Sequence, residues 1–159
     1  MGTYAARELH QVFAEERISI TSDQTGQELH LGRGARLQVL SANTRGTVLM
    51  LEWDRFRVLL PIGLDFDSMG ALGEDRHQGP VTALLLTESG YAPLNTPDWI
   101  ARWSPQVVLL SVAVENRDGL PDPEILEAVE GYDLLRADQN GWIQISKDGK
   151  LIWVEVQKR

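Results

Sequence analysis

An α/β fold follows from three observations. Strand-patterned and helix-patterned segments alternate between residues 81 and 135, the order that builds parallel strands with right-handed crossovers. Three runs, at 48–51, 81–86 and 107–114, are apolar on both faces, as strands in the middle of a covered sheet are. Two alternating runs flank Lys147-Asp-Gly-Lys150 near the end, and Asp-Gly between such runs signals a hairpin. The chain has 159 residues, 43% of them apolar. That suffices for one domain with a real core and excludes disorder.

The elements can be taken in order. Residues 4–16 have an apolar stripe of Leu9, Val12 and Phe13, which predicts an amphipathic helix with Thr3 as its cap. Ile18-Ser-Ile20 alternates and predicts a short strand. After the turn at Asp23-Gln-Thr-Gly26, residues 28–31 and 36–40 read as strands separated by Gly32-Arg-Gly34. This Gly-x-Gly opens no helix and is a turn rather than a phosphate loop. Asn43-Thr-Arg-Gly46 is a second turn. The runs 48–51 and 56–60, joined at Asp54-Arg55, predict a hairpin. One or two helical turns are expected over 67–72. Gly79-Pro80 then precedes the strand at 81–86.

Asn95-Thr-Pro97 starts a helix that runs to Trp103, with Thr96 as cap and proline at the first helical position. Ser104-Pro105 ends it. Asp122-Pro-Glu124 repeats the start signal; Ile125, Leu126 and Val129 form the apolar face, and Gly131 stops the helix. Leu134-Leu135 is a short strand, followed by the hairpin of 142–146 and 151–156.

Composition excludes several functions. Lys plus Arg total 15 against 23 Asp plus Glu, a net charge of −8. Proteins that grip bare nucleic-acid backbone carry the opposite balance. Between Glu115 and Asp138 there are eight acids and two bases, most simply a solvated helix face with its loops, alternatively a docking surface for a basic partner. Cysteine is absent, which excludes disulfides, thiolate metal sites and cysteine nucleophiles. The longest apolar stretch, 107–114, is far short of the roughly 20 residues of a membrane span. The opening MGTYAARELHQ is charged and helix-patterned, unlike a signal peptide. A soluble piece is expected.

The order of segments resembles the second half of the metallo-β-lactamase-like domain of ComEC proteins, the DNA-uptake channels of competent bacteria. The similarity covers nearly the whole chain. GRGARLQVL at 32–40 is similar to that family's strand before an Asn-rich turn, and VLMLEWDRFRVLLPIG at 48–63 to the hairpin leading into its Leu-Leu-Thr-Gly-Asp motif. Residues 84–103 are similar to its strand, His-His-Gly-Ser loop and helix. Residues 108–128 resemble a run that usually reads Asn-Arg-Tyr-Gly-His-Pro before a helix, and 137–149 the terminal Asp-x-x-Gly and hairpin. The resemblance implies half of a metallo-β-lactamase-like αββα sandwich: a mixed sheet with helices on one face plus a C-terminal hairpin, spanning 1–159 as a single, degenerate C-terminal half-domain.

The departures fall on the chemistry. In that family a carboxylate after Thr-Gly bridges two metals; here LLPIGLD has an extra residue, so Leu64 or Asp65 takes the place. The two histidines before Gly-Ser align with Glu88 and Ser89, and the histidine before proline with Leu120. The His-x-His-x-Asp-His motif of the first half is absent. A dinuclear site needs imidazole and carboxylate ligands that converge, and at most one carboxylate survives. Asn116, Arg117, Gly119 and Pro121 remain as loop-shaping residues. The resemblance thus implies a vestigial cleft at Asp65, Glu88, Ser89, Asn116 and Arg117, with no catalytic residues, metal or cofactor.

Other clusters have plain explanations. His10, His30 and His77 lack a second histidine at ligand spacing and read as surface or packing residues. Asp65-Phe-Asp67 with Glu74-Asp75-x-His77 is the best set of hard ligands for a divalent cation, though a solvated acidic loop has the same composition. Glu88 as base and Ser89 as nucleophile would sit where α/β sheets place ligands, but no histidine is near. Trp99 and Trp103 share a helix face and read as packing rather than base-stacking.

The expected function is a non-catalytic scaffold or interaction domain of a ComEC-like competence protein involved in DNA uptake. Its membrane attachment would come only through the parent protein. The alternatives are a fragment of a phosphodiesterase-like, metal-dependent hydrolase whose metal-binding half is missing, and an unrelated small binding domain. No tight nucleic-acid binding is expected. The helices can cover only one sheet face, so the other apolar face predicts a homodimer. The competing arrangement folds the N-terminal helix over that face.

Overall fold

The computed structural model describes residues 4–19, 22–73 and 79–157. Helix α1 (Tyr4–Glu15) comes first. It is followed by strands β1 (Glu28–Gly32), β2 (Ala35–Ala42), β3 (Thr47–Trp53) and β4 (Phe56–Ile62), then by α2 (Phe66–Gly73) and β5 (Ala83–Leu86). The rest of the chain forms α3 (Pro97–Trp103), β6 (Val107–Leu110), α4 (Pro123–Ala128), β7 (Asp133–Arg136), α5 (Ala137–Asn140), β8 (Ile143–Lys147) and β9 (Ile152–Val156).

Strands β1 to β7 lie in one sheet in chain order, and β8 and β9 form a second, two-stranded sheet. The large sheet is mixed. β1 to β4 form an antiparallel meander, joined by turns of two, four and two residues, as tight turns allow. β4, β5, β6 and β7 are parallel, and the connections between them carry α2, α3 and α4. The α/β architecture read from the sequence is therefore the one observed, with a mixed sheet, helices on one face and a C-terminal hairpin.

Side-chain alternation explains the two faces. Val48, Met50, Leu59, Leu84, Leu86, Val108 and Leu110 share one face and form the main core with Leu72, Trp99, Ile100, Trp103, Ile125 and Val129 from the helices and their ends. The intervening residues Leu51, Val58, Leu60, Ala83 and Leu109 face the other way. There they meet Phe56 and Ile145, the latter from the hairpin. Lys147 anchors the same hairpin: its Nζ donates to the Trp53 carbonyl at 3.0 Å and lies 5.1 Å from the Trp53 ring centroid.

That contact corrects the expectation that the second face has no partner inside the chain. The hairpin supplies partial cover; of the described side chains of α1 none belongs to either hydrophobic cluster, and its Leu9 and Val12 are exposed. Cover remains incomplete, for Ile62 on this face is 55% exposed.

Several boundaries differ from the sequence reading. The strand expected over 107–114 ends at Leu110. Beyond it Val112 still packs under the core, but Val114 points to solvent as the chain leaves the sheet. The strand expected at 81–86 starts at Ala83, because Val81 exchanges hydrogen bonds with Trp103 and Gln106 instead. Ile18 and Ser19 form no strand; Ile20 and Thr3 lie outside the described residues. The helical turns expected from Asp67 start at Phe66, and α5 was not expected at all. The helix from Pro97 to Trp103 is as read: the Thr96 hydroxyl accepts from the Trp99 N–H at 3.3 Å, and Ser104 ends it in a left-handed conformation.

Candidate functional site

In a parallel sheet the natural ligand site lies beyond the carboxyl ends of the strands. Here those ends lead into the loops after β4, β5 and β6. The sequence-derived candidates Asp65, Glu88, Ser89, Asn116 and Arg117 are distributed over these three loops.

Asp65 caps α2. One carboxylate oxygen accepts the Ser68 backbone N–H at 2.9 Å, and the other accepts the Asn43 side-chain amide at 3.0 Å. These hydrogen bonds, first of all from Ser68, together with the charge of Arg45, hold the Asp65 carboxyl below its ordinary range. Asn43 is the hub of this corner. Its amide also donates to the Ser68 hydroxyl at 2.8 Å, and its oxygen accepts the N–H groups of Arg45 and Gly46. The turn between β2 and β3 is thereby tied to the start of α2. Close approach requires Gly46: a Cβ there would lie 2.1 Å from the Ile62 carbonyl oxygen.

Glu88 and Ser89 form a tight turn after β5. Their φ angles are 46° and 53°, and Gly90 follows at 85°. Left-handed conformations are costly for residues with a Cβ, so the turn must be held. Asn95 holds it. Its side chain, completely buried, accepts from the Thr87 N–H at 3.0 Å and donates to the carbonyls of Thr87 and Tyr91 at 3.1 and 2.7 Å. Gly90 lies against the loop after β6, where a Cβ would meet the Pro121 Cβ at 2.7 Å. Asp122 completes the joint: its N–H donates to the Gly90 carbonyl, and its carboxylate accepts the Ala92 N–H at 2.7 Å.

The loops after β4 and β5 frame a shallow hollow of about 360 Å³ lined by Arg45, Leu64, Asp65, Phe66, Asp67, Tyr91 and Leu94. Of the five candidates only Asp65 lines it. Glu88 and Ser89 sit on the adjoining turn. Asn116 is half-buried, and its side-chain oxygen accepts the Asp118 N–H at 2.9 Å. Arg117 is exposed. The candidates share one end of the sheet but do not converge on one pocket.

The remaining clusters resolve plainly. Among the described residues no group of three or more His, Asp or Glu side chains is placed to hold a metal ion. Glu74, Asp75 and His77 lie outside the described residues, as does the side chain of His10. His30 is exposed on β1, the far edge strand. Trp99 and Trp103 are buried in the core, edge to face with centroids 5.5 Å apart, and have no face free for a base. The Gly32-Arg-Gly34 segment is a left-handed turn between β1 and β2. In the acidic run most carboxylates are exposed, and Asp138 pairs with Arg136 at 2.7 Å.

Asn95, Asn43 and Asp122 shape this end of the molecule, and sequence reading gave them other roles. By sequence Asn43 is a turn residue, and Asn95 and Asp122 belong to helix starts. Asp65 has the residue type of a metal ligand and equally that of a favoured N-cap, and the second is the role its hydrogen bond from the Ser68 N–H gives it. No protein-family model matches the chain, and no curated protein matches it.

Proposed function

We infer that the chain is a non-catalytic scaffold or interaction domain of a ComEC-like competence protein involved in DNA uptake. It reaches the plasma membrane through its parent protein and pairs as a homodimer through the apolar sheet face. One observation carries this reading. The single carboxylate that stands near the ligand position of the resembled family, Asp65, is occupied in capping α2 and holding Asn43. The turn at Glu88 and Ser89 is likewise held by backbone hydrogen bonds and by Asn95. These loops keep a shape and present a surface. No helix among the described residues is long and apolar enough to cross a membrane, so attachment through a parent is part of the proposal.

The hydrolase reading has one observation in its favour: Asp65 and Asp67 border an open hollow at the strand ends. An assay on purified protein separates the two readings. Hydrolysis of a phosphodiester or β-lactam should stay at background with zinc or manganese added. Metal-dependent turnover abolished by Glu88→Ala would overturn the scaffold reading. DNA binding is a separate arm. With a net charge of −8, a gel shift at ~150 mM salt should give no submicromolar complex, since ordinary non-specific binding lies near ~10⁻⁴ to 10⁻⁶ M.

A further inference from the structure

The β8–β9 hairpin is a sheet of only two strands, and such a ribbon is marginal by itself in water. β8 is anchored through Ile145 and Lys147. On β9, Ile152, Trp153 and Val154 are 40%, 42% and 40% exposed, and Val154 borders a hollow that it shares with Val107, Asp133, Leu134 and Leu135.

Backbone direction identifies which edge is free. The Gln157 N–H donates to the Trp142 carbonyl at 3.1 Å, and the Asp148 N–H to the Leu151 carbonyl at 3.3 Å. Antiparallel ladders alternate, so Leu151, Trp153, Glu155 and Gln157 turn their backbone groups toward β8. Ile152, Val154 and Val156 turn theirs outward, where no strand of the described residues pairs with them. Soluble proteins blunt such edges with bulges, prolines, charges or short length. The large sheet does so: β1 is irregular between His30 and Gly32, and β7 has four residues. Ile152-Trp-Val-Glu-Val156 has no proline, no lysine and one charge, and it runs in unbroken register with β8.

We propose that β9 pairs antiparallel with β9 of a second copy about a two-fold axis at Val154, joining two hairpins into one four-stranded sheet. This rests on the homodimer reading above but places the seam along the β9 edge, not on the apolar face of the large sheet. The sequence is self-complementary in that register. Val154 meets Val154 of the second copy, Ile152 meets Val156, and Trp153 meets Glu155, so no like charges oppose. Every outward N–H and C=O of Ile152, Val154 and Val156 then finds a partner. Charge favours a second copy here above other places on the surface. Lys147 and Lys150 balance Asp148 and Glu155 within the hairpin, whereas the excess acid of the chain lies between Glu115 and Asp138. A two-fold contact also covers both free edges at once.

The test is amide hydrogen exchange on the whole chain, with light scattering, across a dilution series. The expected result is a mass near twice 17.8 kDa at the concentrated end. There the amides of Ile152, Val154 and Val156 are protected, and they lose that protection on dilution, while those of Trp153 and Glu155 stay protected throughout. Val154→Pro removes an outward N–H and the valine side chain at the two-fold contact, leaves the N–H groups that bond β8 in place, and should shift the mass to that of a monomer. A dimer whose Val154 amide exchanges freely overturns the seam and leaves the homodimer reading standing. A monomer at every concentration overturns both. Capture of a foreign extended peptide by β9, with the chain otherwise monomeric, also overturns the proposal.

Discussion

The two faces of the large sheet carry equally apolar residues and are closed to different degrees. On the helix side Met50, Leu59, Leu84 and Val108 are completely enclosed under Trp99, Ile100 and Trp103. On the other side Leu51, Leu60 and Leu109 are half-buried, and their cover is a hairpin that contributes Ile145. An apolar strand face thus records that something must lie on it, and says nothing of what. Helices bring several bulky side chains per turn onto a sheet. A two-stranded ribbon brings one row, and keeps an edge of its own to be covered.

Unequal sensitivity to truncation follows. Trp103→Ala empties a fully buried site and should cost about 3–5 kcal/mol in denaturant unfolding. Asn95→Ala leaves the buried N–H of Thr87 without its acceptor, while the Thr87 carbonyl keeps the Gly90 N–H, an effect of about 1–3 kcal/mol; protection of the Thr87 amide should fall with it. Ile145→Ala removes a half-buried side chain on the second face and should cost about 1–2 kcal/mol. Equal losses at Trp103 and Ile145 would erase the contrast between the faces.

The smallest effect concerns pH and the strand-end loops. The Asp65 carboxyl is held below its ordinary range by the Ser68 N–H and its neighbours. Its contribution is therefore complete above the unfolded carboxylate value and is lost as pH falls through the lower, folded value. Asp65→Asn should flatten that acid limb of the stability curve. An unchanged limb would remove Asp65 from the account of how the loop is held.

Much of the architecture was legible because the punctuation is local. Thr96-Pro97, Pro123 and the Gly32-Arg-Gly34 turn act within a few residues, and the elements begin or end where these stand. What covers the second face was not legible, because it depends on contacts across long sequence separations. Ile145 meets Phe56, Val58 and Ala83, and Lys147 meets Trp53, none of which is near in sequence. The strand-end loops misled for a related reason. Asp65, Glu88 and Ser89 have the residue types of a reactive site, but their partners Asn43, Ser68 and Asn95 decide what they do. Asn95 lies inside a helix-start signal, where nothing in the pattern marks it as the clamp of the preceding turn.

The Asp65 carboxylate caps α2 and holds Asn43, and the proposal that it serves the fold in place of a metal is open to a direct test. Thermal melting of the wild type and of Asp65→Asn, each with and without zinc or manganese, tests it most directly. The account predicts a lower Tm for Asp65→Asn and no metal response in either protein. A metal-induced rise in Tm in the wild type that disappears in Asp65→Asn would contradict it.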